Sequence, residues 1–199
     1  MRTFGLILLL SSLPSLLPAQ TGPTAREFKP NSCAAADSAL GRPIAKPRQP
    51  IQGMYSQPTG ESMVFSADPW AYNGSRPLRA VWATAKFPGD GPVAEPILGF
   101  QVRLEDTLLR VGLDARLSFQ FDSAAAQVIG QMQGQQFGSS GRKIDQVLTI
   151  GLNGAQSRQL AAAYKVRGTI GSLAFDIPDR ALEGIRAVYV ASACGVRLR

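Results

Sequence analysis

Strict alternation of apolar and polar residues is the feature that most limits what this chain can fold into. Leu98, Phe100, Val102 and Leu104 alternate with Gly99, Gln101, Arg103 and Glu105. Successive side chains of a strand point to opposite faces, so this run has one apolar and one polar face. A helix would spread the same residues around its whole circumference. The same period marks Met63, Phe65 and Ala67 against Ser62, Val64 and Ser66, and then Val81, Ala83, Ala85 and Phe87. Turn-forming connectors such as Pro88-Gly89-Asp90-Gly91-Pro92 separate the runs. Strands with a single apolar face belong in an antiparallel sheet that packs one side on a core.

From Leu109 to Phe121 the alternation outlasts an ordinary strand, which runs to about six residues. A hairpin with the three-residue loop Asp114-Ala115-Arg116, or one long bent strand, keeps the apolar set on one side, and the hairpin is favoured. Ala124 to Phe137, rich in Ala and Gln, is ambiguous between strand and helix, and Ser139-Ser140-Gly141 reads as a turn. Ile144, Leu148, Ile150 and Leu152 predict a further strand.

The period changes after that. Asn153 with Gln156 three residues on has the form of a reciprocal helix cap, and Leu160, Ala163 and Tyr164 follow at helical spacing. Leu173, Phe175 and Ile177 predict a strand. Pro178-Asp179 then opens a second helix with Leu182, Ile185 and Val188 or Tyr189 along one side, and a strand from Val188 onward is the alternative for its β-branched end. Strands first and helices late predict an α+β fold, an antiparallel β-sheet of about six to eight strands with one or two short C-terminal helices. The alternative is an all-β sandwich or barrel.

Met1 and Arg2 precede an apolar stretch from Phe4 to Leu17 that is shorter than the roughly 20 residues needed to cross a bilayer. Residues 1–20 therefore read as a signal peptide for a bacterial-type export route, cut between Ala19 and Gly22. A lipid anchor needs a cysteine directly behind the apolar stretch, and Cys33 comes too late. Residues 21–53, with Pro23, Pro30, Pro43, Pro47 and Pro50, are expected to form a proline-rich extended arm lying on the surface. Residues 54–199 make a single β-rich domain. No transmembrane segment is expected in the mature chain, which places the protein in the periplasm or outside the cell.

The chain has two cysteines, Cys33 and Cys194, near opposite ends of the mature sequence. In an oxidising compartment an even count points to a disulfide between them. The net charge is +7, but the basic residues are dispersed, the densest group being Arg42, Lys46 and Arg48. That pattern is ordinary solubilising charge. It suits an anionic envelope component or a protein partner, and no nucleic acid is expected.

There is no histidine. Ser-His-Asp and Cys-His nucleophiles and imidazole-bound zinc are thereby excluded. Glu105-Asp106 is a bare acidic pair, and Asp176 and Asp179 flank Pro178 as residues that cap a helix start. No catalytic residue, metal or cofactor is expected. Trp70 and Tyr72, in a loop between two strands, are the candidate ligand-binding residues, because aromatics presented there stack on sugar rings or anchor a partner. Trp82 stands on the face opposite Val81 and Phe87, where a helix would cover it.

The expected function is that of an exported soluble protein acting by non-catalytic binding or structural association in the bacterial envelope or outside the cell. A carboxylate-dependent hydrolase of envelope polymers is the alternative, and recruitment of a partner strand at an open sheet edge is a third reading. Intact-mass measurement of the exported product is expected to find a chain beginning at Gln20, Thr21 or Gly22; a product retaining Met1 would remove the export reading.

Overall fold

The computed structural model describes residues 26–30, 33, 36, 40, 51–56, 58–66, 70–71, 77–106, 111–140 and 143–197. The expected signal peptide lies outside the described residues. The fold is α+β and mostly sheet. Its strands are β1 (Arg26–Pro30), β2 (Ile51–Ser56), β3 (Glu61–Ser66), β4 (Trp70–Ala71), β5 (Leu78–Pro88), β6 (Leu98–Asp106) and β7 (Arg116–Phe121). Then come β8 (Gln127–Gln131), β9 (Gln133–Ser140), β10 (Lys143–Gly151), β11 (Val166–Ile170), β12 (Leu173–Ile177) and β13 (Val196–Arg197). Helices α1 (Gly154–Ala162) and α2 (Asp179–Cys194) pack with these strands.

The strands form two antiparallel sheets. One has nine strands in the order β13-β1-β2-β3-β5-β6-β10-β9, with β4 pairing β5 beyond the end of β3. The other has four strands in the order β12-β11-β7-β8. The alternation read from the sequence decides which side of the large sheet is inward: Val81, Ala83, Ala85 and Phe87 of β5 and Leu98, Phe100, Val102 and Leu104 of β6 are all buried. The small sheet covers part of that face. Phe119 of β7 meets Phe100 of β6 edge to face, with ring centroids 4.9 Å apart, a geometry that joins the two sheets through one aromatic contact.

Helix α2 covers the rest, packing on β5, β3, β2 and β1. Both surfaces carry small residues there. Ser62 and Ser66 of β3 and Ala83 and Ala85 of β5 are buried, as are Gly184, Ala187, Ala191 and Ser192 of α2. Short side chains on both partners let helix and sheet close without a void. This explains an inversion on β3, where the inward side holds Ser62, Val64 and Ser66 while Met63 and Phe65 stand on the outer side. It also explains why α2 runs unbroken through Val188 and Val190. Residues 187–192 are buried without interruption, and burial on every side outweighs the modest helix cost of β-branching.

Helix α1 starts as its sequence predicts. The Gln156 amide N–H donates to the Asn153 side chain at 2.8 Å, and the Asn153 N–H donates to the Gln156 side chain at 3.0 Å. The Ser157 hydroxyl then accepts from Leu98 N–H at 3.0 Å, tying the helix to the start of β6.

Three expectations change. The favoured hairpin at Asp114-Ala115-Arg116 does not form: residues 112–115 turn, Arg116 already belongs to β7, and β7 pairs with β8 and β11. The ambiguous run Ala124 to Phe137 becomes β8 and most of β9, and Ser139 and Ser140, read as a turn, are strand residues. The described parts of the proline-rich arm join the sheet instead of lying on it, since β1 pairs β2 and β13, and helical Ala36 and Leu40 are buried in the core.

The two ends of the domain meet behind α2. Cys33 and Cys194 are disulfide-bonded, with Cα atoms 5.5 Å apart. Gly195 ends α2 at φ +74°, and a Cβ there would lie 2.6 Å from the Asp90 carbonyl oxygen, so the position demands glycine. The Pro88–Pro92 connector docks on this spot through Val196 N–H to Asp90 O at 2.9 Å and Val93 N–H to Ser192 O at 2.9 Å. The disulfide closes a separation of 161 residues, for which chain entropy gives about 5 kcal/mol. Paired Cys33→Ser and Cys194→Ser substitution is expected to lower Tm by roughly 10–20 °C in thermal unfolding followed by circular dichroism.

Candidate functional site

The described acidic side chains lie at the surface. None is among the buried polar residues, which are Ser62, Ser66, Gln146, Ser157 and Ser192. Four carboxylates are held by cations across neighbouring strands. Arg79 occupies the bulge between Leu78 and Ala80, and the bulge aims its guanidinium at Glu105 with Nε–Oε2 3.1 Å and Nη2–Oε1 2.9 Å. Arg103 reaches diagonally to Asp145, with Nε donating to Oδ1 at 2.9 Å. Lys86 meets Glu61 at 2.7 Å, and Arg167 meets Asp176 at 3.1 Å.

These contacts set the electrostatics of the surface. The hydrogen bond to Glu105 raises the Arg79 pKa, and the hydrogen bond to Asp145 raises that of Arg103. The Lys86 hydrogen bond holds the Glu61 carboxyl below its ordinary value, helped by the Thr59 side chain. Asp122, at φ +51°, accepts from the N–H groups of Tyr164 at 2.9 Å and Lys165 at 2.8 Å, clamping the end of β7 to the start of β11. Glu105 is thus an ion-pair partner. Asp176 does not cap a helix, and the N-cap of α2 is Pro178 with no side-chain bond, leaving Asp179 in the first turn where the helix dipole favours it.

Of the candidate aromatics, Trp70 lies in β4, in register with Val81 of β5. Tyr72 lies outside the described residues. Trp82 departs from its expected position under a helix: the described helices pack on the Val81 side, and Trp82 is half-buried on the outer face of the large sheet.

The feature that sequence reading missed is an edge. Strand β9 is the last strand of the large sheet and β8 is the last strand of the small one, and they follow each other in the chain. Only Met132 separates them. Its side chain is buried and its N–H donates to Ala115 O at 2.9 Å, pinning the crossover. One continuous segment, residues 127–140, thus forms a margin of both sheets that no other described strand pairs. From Ser123 to Gly141 there is no charged residue and no proline, the longest uncharged run after Arg26. Val128 and Phe137 on it are 62% and 52% exposed. The uncharged run is visible in the sequence, but its place at an edge is not. No protein-family model, curated protein or solved structure matches the chain.

The Glu61–Lys86 pair gives a titration test. A carboxyl whose folded pKa is lowered contributes stability above its unfolded value and loses it as pH falls through the folded value. Both groups are largely solvated, so the effect is small and salt-screened. An NMR pH titration is expected to show Glu61 titrating below an ordinary glutamate, and Lys86→Met is expected to move it back up.

Proposed function

We propose that this is an exported, non-catalytic protein that works by structural association, adding the strand of a protein partner at β9. The observation that carries the reading is the uncharged margin of residues 127–140 at the ends of two sheets. Exposed strand edges offer unpaired N–H and C=O groups to any extended chain, and proteins that avoid such pairing place lysine, proline or inward charges there. This edge carries none of those guards. Export is supported by the apolar stretch at residues 4–17 and by a cysteine pair compatible with a disulfide.

A second copy of the chain is the partner that suits the edge. Antiparallel strands pair about a twofold axis with no further sequence requirement, and the uncharged run lets two copies of a +7 chain approach where repulsion is least. The hydrolase reading has less support. It needs two carboxylates facing each other across a cleft, whereas Glu61, Glu105, Asp145 and Asp176 are each held by a cation at the surface.

Sedimentation velocity is expected to find a concentration-dependent dimer that becomes monomeric when Val128 and Phe137 are both replaced by lysine, with the circular dichroism spectrum unchanged. A wild-type protein that stays monomeric at every concentration would defeat the association reading.

A further inference from the structure

The outer face of the nine-stranded sheet carries an ordered set of side chains that edge pairing does not use. The registers place Trp82 of β5 opposite Gln101 of β6, Gln101 opposite Thr149 of β10, and Thr149 opposite Gln133 of β9. One row across four strands thus reads aromatic, amide, hydroxyl, amide. The neighbouring row reads Phe65, Thr84, Gly99 and Gly151. Phe65 and Trp82 therefore stand diagonally at one end, and two glycines leave a shallow floor at the other.

The floor is bounded on one side. The Gln101 amide donates to the Thr84 hydroxyl at 3.3 Å, so this pair holds its orientation at the margin of the glycine floor. A Cβ on Gly99 would lie 2.7 Å from that same hydroxyl, whereas a Cβ on Gly151 would meet nothing within 4 Å. The space above Gly151 is open. With strands about 4.8 Å apart, the row from Trp82 to Gln133 spans roughly 14 Å, the length of an oligosaccharide and too long for one sugar ring.

We infer that these two rows form a binding platform for a neutral, extended polysaccharide chain lying across the strands. Aromatic faces stack on the C–H faces of sugar rings, and amides and hydroxyls both donate to and accept from sugar hydroxyls. A polyanion would need cations free to meet it, but Arg79, Lys86 and Arg103 around the platform are bound to Glu105, Glu61 and Asp145. A peptide would seek backbone groups at an edge, whereas these rows offer outward side chains, most of them from inner strands β5, β6 and β10. The platform meets the proposed association only at Gln133, whose outward side chain belongs to the row while pairing at β9 would use that strand's backbone, so either reading survives the failure of the other.

Calorimetric titration of the full-length exported protein with cellohexaose, chitohexaose and maltohexaose, and with polygalacturonate as the anionic comparison, tests the inference. At least one neutral hexasaccharide is expected to bind saturably. Trp82→Ala is expected to weaken that binding about tenfold or more, the loss of one stacking contact and its buried area. A Cβ at Gly151 meets nothing within 4 Å, so Gly151→Phe is expected to fill the open floor and abolish binding with Tm unchanged, which separates a blocked site from a damaged fold. Phe137→Lys is expected to leave binding intact. Saturable binding of polygalacturonate alone, no binding of any neutral hexasaccharide, or wild-type affinity in Gly151→Phe would each overturn the inference.

Discussion

Burial of one face of the large sheet governs the whole architecture. Phe100, Val102 and Leu104 on β6 and Val81, Ala83 and Ala85 on β5 leave water only if something covers them, and two different layers do so. The small sheet supplies Phe119 against Phe100, and α2 supplies a surface of small residues against β3 and β5. Transfer of this apolar area is the dominant favourable contribution to folding.

The outer face follows from the same constraint. With helices and the small sheet drawn to the inner side, the opposite side is left to residues that tolerate water, and it sorts into two kinds. Charged residues form cross-strand pairs, Arg79 with Glu105, Arg103 with Asp145 and Lys86 with Glu61, so these cations are locally balanced and the net positive charge is carried by residues elsewhere. Between them lie the uncharged rows headed by Phe65 and Trp82. The margin of the sheet at β9 continues this uncharged character, so the surfaces offered for recognition are neutral on a protein whose overall charge is not.

Much of the fold was legible in the sequence because strand periodicity is a local property. The inward residues of β5 and β6, the capping box at Asn153 and Gln156, and the start of α2 at Asp179 were all readable from neighbouring residues alone. The α+β class followed from their order. Trp82 was correctly set opposite Val81 and Phe87, but which of those faces a helix would cover was not decided by any local pattern. The hairpin at residues 114–116 failed for a related reason. Alternation shows that a segment is extended and says nothing about its partner, and β7 found β8 and β11. On β3 the apolar residues Met63 and Phe65 took the outer side because the approach of α2 required Ser62 and Ser66 beneath it.

By itself the sequence determined the extended and helical character of most segments, the exclusion of histidine chemistry, and a cysteine spacing able to join the ends of the domain. Each of these depends on residue identity or on contacts a few positions apart. Tertiary structure alone decided that residues 127–140 lie at the edge of two sheets, that residues 26–30 and 51–53 of the proline-rich arm pair within the large sheet, and that Trp82, Gln101, Thr149 and Gln133 fall in one row. Those arrangements join residues dozens of positions apart, and they exist only once strand order and register are chosen by how the buried faces can pack.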